Sequence, residues 1–84
     1  MNEKTFRALI EAGAIKRIHI IAMGAKFHIE ADTPNGSITI STLRGGLKNW
    51  VTLDAAAKWI HSLGMGKAQI DITKWQPKQR ALKL

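Results

Sequence analysis

Apolar and polar side chains alternate from Ala25 to Thr42 in the manner of a β-hairpin. Ala25, Phe27, Ile29 and Ala31 interleave with Lys26, His28, Glu30 and Asp32; beyond a Thr33-Pro34-Asn35-Gly36 break, Ile38 and Ile40 interleave with Ser37, Thr39 and Ser41. Period two on both arms predicts one dry and one wet face. Pro34 presets φ for a turn, and Asn35 and Gly36 tolerate left-handed backbone. With that loop, Ala31 opposes Ile38 and Ile29 opposes Ile40 on the dry face. Glu30 then opposes Thr39, and His28 opposes Ser41, on the wet one.

The same pattern places the other elements. Asn2 is an N-cap candidate, Glu3 suits a first helical turn, and Phe6, Leu9 and Ile10 share one face, so a helix is expected from Glu3 to Ala12, stopped by Gly13. Ile15 to Met23 reads as a strand, with Ile18, Ile20 and Ala22 inward. Paired with the next strand across Met23-Gly24, it sets Ile20 against Phe27, Ile18 against Ile29, His19 against His28 and Arg17 against Glu30. Trp50-Val51 reads as a short strand end. Thr52 caps a second helix that runs to Gly64 and packs through Ala56, Ile60 and Leu63. Lys67 to Thr73 alternates again, with Ala68, Ile70 and Ile72 inward, as a fourth strand completing the sheet of its own chain or of a partner's. The expected fold class is α+β: an N-terminal helix, a three-stranded antiparallel meander, a second helix, a short fourth strand and a basic C-terminal tail. One domain spans residues 1–75, with the tail at 76–84.

Size and composition add constraints. Eighty-four residues make a single domain whose core is small, and without cysteine neither a disulfide nor a thiolate metal site can staple it. Oligomerisation is the remaining device, so a homodimer is expected. The longest apolar run, Ile18 to Ala25, falls far short of the ~20 residues of a membrane span. The residues after Met1 show no secretory pattern, and a reducing cytoplasm is the expected location. The net charge of +7 is unevenly spread: residues 1–43 carry five basic and four acidic groups, residues 44–84 eight basic and two acidic. Such an imbalance favours polyanionic partners, or serves as a solubilising surface.

Candidate chemistry is sparse. No cysteine or tyrosine is present, Ser37, Ser41 and Ser62 lie in no nucleophile-elbow context, and the carboxylates are scattered, so no catalytic residue and no cofactor is expected. His19 and His28 with Glu30 fall short of a metal motif, and no metal site is assigned. Arg17, His19, Lys26, His28, Thr39 and Ser41 instead form a row of donors on the wet face, and a β-ribbon fits the major groove of duplex DNA. Arg44 and Lys48 flank Gly45-Gly46, which lacks the spacing of a P-loop but allows backbone approach to a phosphate. With Lys74, Lys78, Arg80 and Lys83 of the last segment they are the phosphate-contact candidates. Base stacking on single strands needs exposed aromatics, and both phenylalanines point to the core.

Three segments, MNEKTFRALIEAGA at residues 1–14, WVTLDAAAKWI at 50–60 and ITKWQP at 72–77, carry a resemblance. The chain resembles the small accessory, partition-associated proteins of bacterial conjugative plasmids and integrative elements. The resemblance implies cytoplasmic maintenance, transfer or regulatory work on plasmid DNA; it contains no catalytic motif and transfers no binding residue. The expected function is a homodimeric DNA-binding accessory or regulatory protein. The alternative is a protein-interaction adaptor of the same mobile element, with Trp50, Trp59 or Trp75 as the hot spot.

Overall fold

A computed structural model describes residues 2–42 and 44–76. The elements run α1 (Glu3–Glu11), β1 (Arg17–Gly24), β2 (Lys26–Thr33), β3 (Gly36–Thr39), α2 (Leu53–Ser62) and β4 (Gln69–Trp75), an α+β fold with one mixed sheet in the order β3-β2-β1-β4. The expected fold class and element order are both observed. Of the tail expected at 76–84, residues 77–84 lie outside the described residues, and Gln76 donates its N–H to the Gly24 carbonyl at 2.7 Å.

Local chemistry explains both helices. Asn2 Oδ1 accepts the Thr5 N–H at 3.0 Å, and Glu3 pairs with Arg7 one turn on at 2.9 Å. At the far end Gly13 takes φ 74°, with its N–H on the Ile10 carbonyl and the Ala14 N–H on that of Leu9, a Schellman stop. In α2, Thr52 Oγ1 accepts the Ala55 N–H at 3.0 Å, and Gly64 at φ 90° ends the helix.

β1, β2 and β3 form the expected antiparallel meander. The β2–β3 register is as predicted, with Glu30 opposite Thr39 and Ala31 opposite Ile38. The β1–β2 register differs by two residues: Ala22 lies opposite Phe27, Ile20 opposite Ile29, His19 opposite Glu30, and Arg17 opposite Asp32. The turn is Gly24-Ala25 rather than Met23-Gly24, and Gly24 at φ 64° is the first-position glycine that a II′ hairpin turn requires. A two-residue shift keeps every side chain on its face, so the core is unaffected while the wet-face pairs change.

After β3, α2 carries the chain back across the sheet, so β4 enters at the same end as β1 and runs parallel to it. Both helices lie on one face. Phe6, Ala56 and Ile60 close with Ile18, Ile20, Ala22, Phe27, Ile29, Ala31, Ile40 and Trp50 into the buried core. Trp59 stacks on Phe6 at 5.8 Å and meets Trp50 at 5.0 Å. Trp50 is not part of a strand; it bridges Phe27 through two backbone hydrogen bonds. The inward row expected of the fourth strand is corrected: every residue of β4 is exposed, because the helices cover β1 and β2 and stop short of the edge.

Candidate nucleic-acid interface

The sheet face opposite the helices gathers the predicted donors. Arg17, His19, Ile21 and Met23 come from β1, and Lys26, His28, Glu30 and Asp32 from β2. Ser37 and Thr39 come from β3, and Gln69, Asp71 and Lys74 from β4, level with His19, Ile21 and Met23. Three permanent cations, Arg17, Lys26 and Lys74, are therefore matched by three carboxylates, Glu30, Asp32 and Asp71.

Several of the donors are engaged within this face. His19 Nε2 sits 2.9 Å from Asp32 Oδ2, and Ser37 Oγ donates to Asp32 Oδ1 at 3.0 Å. The hydrogen bonds from His19 and Ser37 hold the Asp32 carboxyl below the usual aspartate range. Asp71 is held down likewise by the backbone N–H and side chain of Thr73. His28 does not project as a donor: it is only 7% exposed, with Nε2 3.7 Å from Glu30 Oε2 and Nδ1 without a hydrogen-bond partner among the described residues. The cross-strand His19–His28 pair is absent, since the register sets Ile21 against His28.

Lys16 and Lys67 stand outside that count, and they meet Arg17, itself level with Asp32, at one end of the sheet. Where β1 and β4 begin, Lys16, Arg17 and Lys67 line a cleft of about 920 Å³ with Ile18, Met65, Gly66, Ala68 and Gln69, and no carboxylate lines it. Only Arg17 of these cations was among the predicted contacts. Lys16 and Lys67 come together through the parallel β1–β4 pairing, which alternation along the chain does not encode; the one sequence signal was the Lys16-Arg17 dipeptide at a strand start.

A second, smaller cleft of about 490 Å³ lies between α1 and the loop after β3, lined by Asn2, Glu3, Lys4, Arg7, Ser41, Thr42 and Lys48. Glu3 occupies it, accepting from Arg7 Nε at 3.0 Å and from Trp59 Nε1 at 3.3 Å; the Arg7 and Trp59 hydrogen bonds hold its carboxyl below the ordinary glutamate range. Lys48 Nζ lies 5.5 Å from the centre of the Trp50 ring, a cation–π contact. Arg44 is exposed in the turn at Gly45, which has φ 91°. Thus Lys48 already faces an aromatic ring and a carboxylate, whereas Lys16, Arg17 and Lys67 have no ion pair among the described residues. Lys26 and Lys74 are exposed near the opposite end of the sheet. Lys78, Arg80 and Lys83 lie outside the described residues.

Among the described residues no group of three His, Asp or Glu side chains could hold a metal ion, and no helix is long and apolar enough to cross a membrane. Comparison of the chain with protein-family models, with curated proteins and with solved structures finds no match.

Proposed function

We propose that this protein is a nucleic-acid-binding accessory or regulatory protein that acts on duplex DNA as a homodimer in the cytoplasm, without catalysis of its own. The carrying observation is the cleft of Lys16, Arg17 and Lys67, three cations with no lining carboxylate at the mouth of two parallel strands. Such a cluster attracts phosphates by Coulomb attraction and counterion release, and it requires no bound cofactor. The balanced centre of the open face favours a positioning role for the cleft, with base readout left to side chains at its margin such as Gln69. Duplex is preferred over single strands because the aromatic rings lie on the helix side of the sheet, and the open face offers no stacking platform among the described residues. Maintenance, transfer or regulation of a mobile element is the role that the resemblance adds.

Fluorescence anisotropy with a labelled duplex tests this reading. Micromolar protein binds at about 50 mM salt and releases steeply as salt rises. Absence of binding at that salt overturns the proposal. Capture of one stoichiometric protein partner after nuclease treatment, without DNA binding, favours the adaptor instead; the exposed apolar groove beside Val51 and Trp75 is what speaks for it.

A further inference from the structure

Among the described residues, exposed apolar side chains gather along β4. Ile70 and Ile72 are each 52% exposed, Trp75 is 42% exposed and the neighbouring Val51 74%. With Phe27 and Leu53 they border a groove of about 840 Å³. β4 is also the end of the sheet: one side pairs with β1, and the other has no strand partner among the described residues. An apolar edge strand of this length is a template for another strand, and natural sheets usually shield such edges. The opposite edge, β3, spans only Gly36–Thr39.

The register of β4 says what fits. Its pairing with β1 shifts between Ile21 and Met23, where Asp71 Oδ1 accepts the Thr73 N–H at 3.0 Å. Ile70 is level with Ile20 and Trp75 with Gly24, so both belong to the helix-side face; Asp71 is level with Ile21 and Lys74 with Met23, so both belong to the open face. Without the shift, residues three apart would lie on opposite faces. With it, β4 carries an apolar pair, Ile70 and Trp75, flanking a pair of opposite charges, Asp71 and Lys74, and this order is complementary to itself reversed.

We infer that β4 is the dimer interface: two copies pair antiparallel through their β4 edges about a two-fold axis near Ile72-Thr73, an arrangement that specifies the homodimeric reading above and rests on it. Each Asp71 then faces the partner copy's Lys74 on the open side, and each Ile70 faces the partner copy's Trp75 on the helix side, joining the two grooves into one apolar seam. The interface is isologous, as closed two-fold dimers require. The two sheets become one continuous sheet. At ~3.3 Å per strand step, with Ile72 and Thr73 together filling one step at the register shift, the two Lys67 residues, and with them the two cationic clefts, stand roughly 33 Å apart along the strand direction. One turn of B-DNA, ~34–36 Å, is close to this spacing.

Charge exchange with sedimentation of the full chain is the test. The wild-type protein sediments at twice the 9.3 kDa chain mass. Asp71→Lys sets lysine against lysine, and Lys74→Asp sets aspartate against aspartate, so each variant alone dimerises at least about tenfold more weakly, since like charges face each other twice across the axis. An equimolar mixture of the two variants restores both opposite-charge pairs across the axis, and with them the dimer. That restoration also establishes that both variants are folded. A wild-type monomer at high micromolar concentration overturns the interface, even if it binds DNA. Dimers that survive both charge variants and fail on Val51→Lys overturn it as well, placing the contact in the groove rather than on the edge. A dimer with the expected charge behaviour that ignores duplex DNA supports the interface and overturns only the nucleic-acid reading.

Discussion

Removing Lys16, Arg17 and Lys67 together by alanine substitution isolates the contribution of the cleft. All three are exposed and have no ion pair among the described residues, so the triple variant stays folded; surface substitutions of this kind stay within about 0.5 kcal/mol each. Each phosphate neutralised on B-DNA contributes ~0.9 to the slope of log K against log salt, so three contacts supply a slope of about 2.7 per protomer. Raising salt from about 50 to about 200 mM weakens a slope of that size by roughly 40-fold, and this is the salt sensitivity that the variant gives up per protomer. Anisotropy titrations of a labelled duplex over that range measure both slopes. Lys58→Ala is the control, because Lys58 already pairs with Asp54 at 3.1 Å on the exposed side of α2. A folded triple variant whose slope equals that of the wild type refutes the cleft as the phosphate site.

Further substitutions test the scaffold. Phe6→Ala empties a fully buried position and removes the partner stacked on Trp59, costing about 3–5 kcal/mol, most of the stability of a domain this size; urea unfolding followed by tryptophan fluorescence reads it. Gly24→Ala meets no atom within 4 Å yet forces a side chain into φ 64°, so it lowers the unfolding free energy by about 1–2 kcal/mol through backbone strain alone. Asp32 titrates lower in the folded than in the unfolded state, so its contribution is complete above the ordinary aspartate value of about 3.9 and is lost as pH falls through the depressed folded value. Asp32→Asn therefore flattens the decline of the urea midpoint below about pH 4, and an unchanged acid limb counts against the His19–Asp32–Ser37 cluster as its source.

Features decided by neighbouring residues were legible in the sequence. Asn2 and Thr52 cap where expected, because an N-cap bond closes within three residues. Gly13 and Gly64 stop the helices because a glycine just past the last turn enters left-handed backbone at no steric cost. The β2–β3 register was readable because Pro34-Asn35-Gly36 leaves little choice of loop. Parallel entry of β4 was not readable. It follows from α2 crossing the sheet, and it alone brings Lys67 to Lys16.

The β1–β2 register shows why the core was easier to read than the site. Moving the pairing by two residues leaves Ile18, Ile20 and Ala22 facing Phe27, Ile29 and Ala31 as a set, and burial depends on the set, being non-directional and proportional to area. The open face is different, because hydrogen bonds and ion pairs depend on which two residues meet. One step of two residues exchanges His19–His28 for His19–Glu30 and brings Arg17 level with Asp32. It turns an expected row of donors into a face that satisfies much of its own polarity, with Asp32 held by His19 and Ser37. The turn at Gly24 is what selects that register, since a glycine at the first loop position suits the II′ geometry and Met23 there does not. The cations that this register leaves outside the paired face, Lys16 and Lys67, line with Arg17 the cleft at the head of β1 and β4, whose lining residues include no carboxylate.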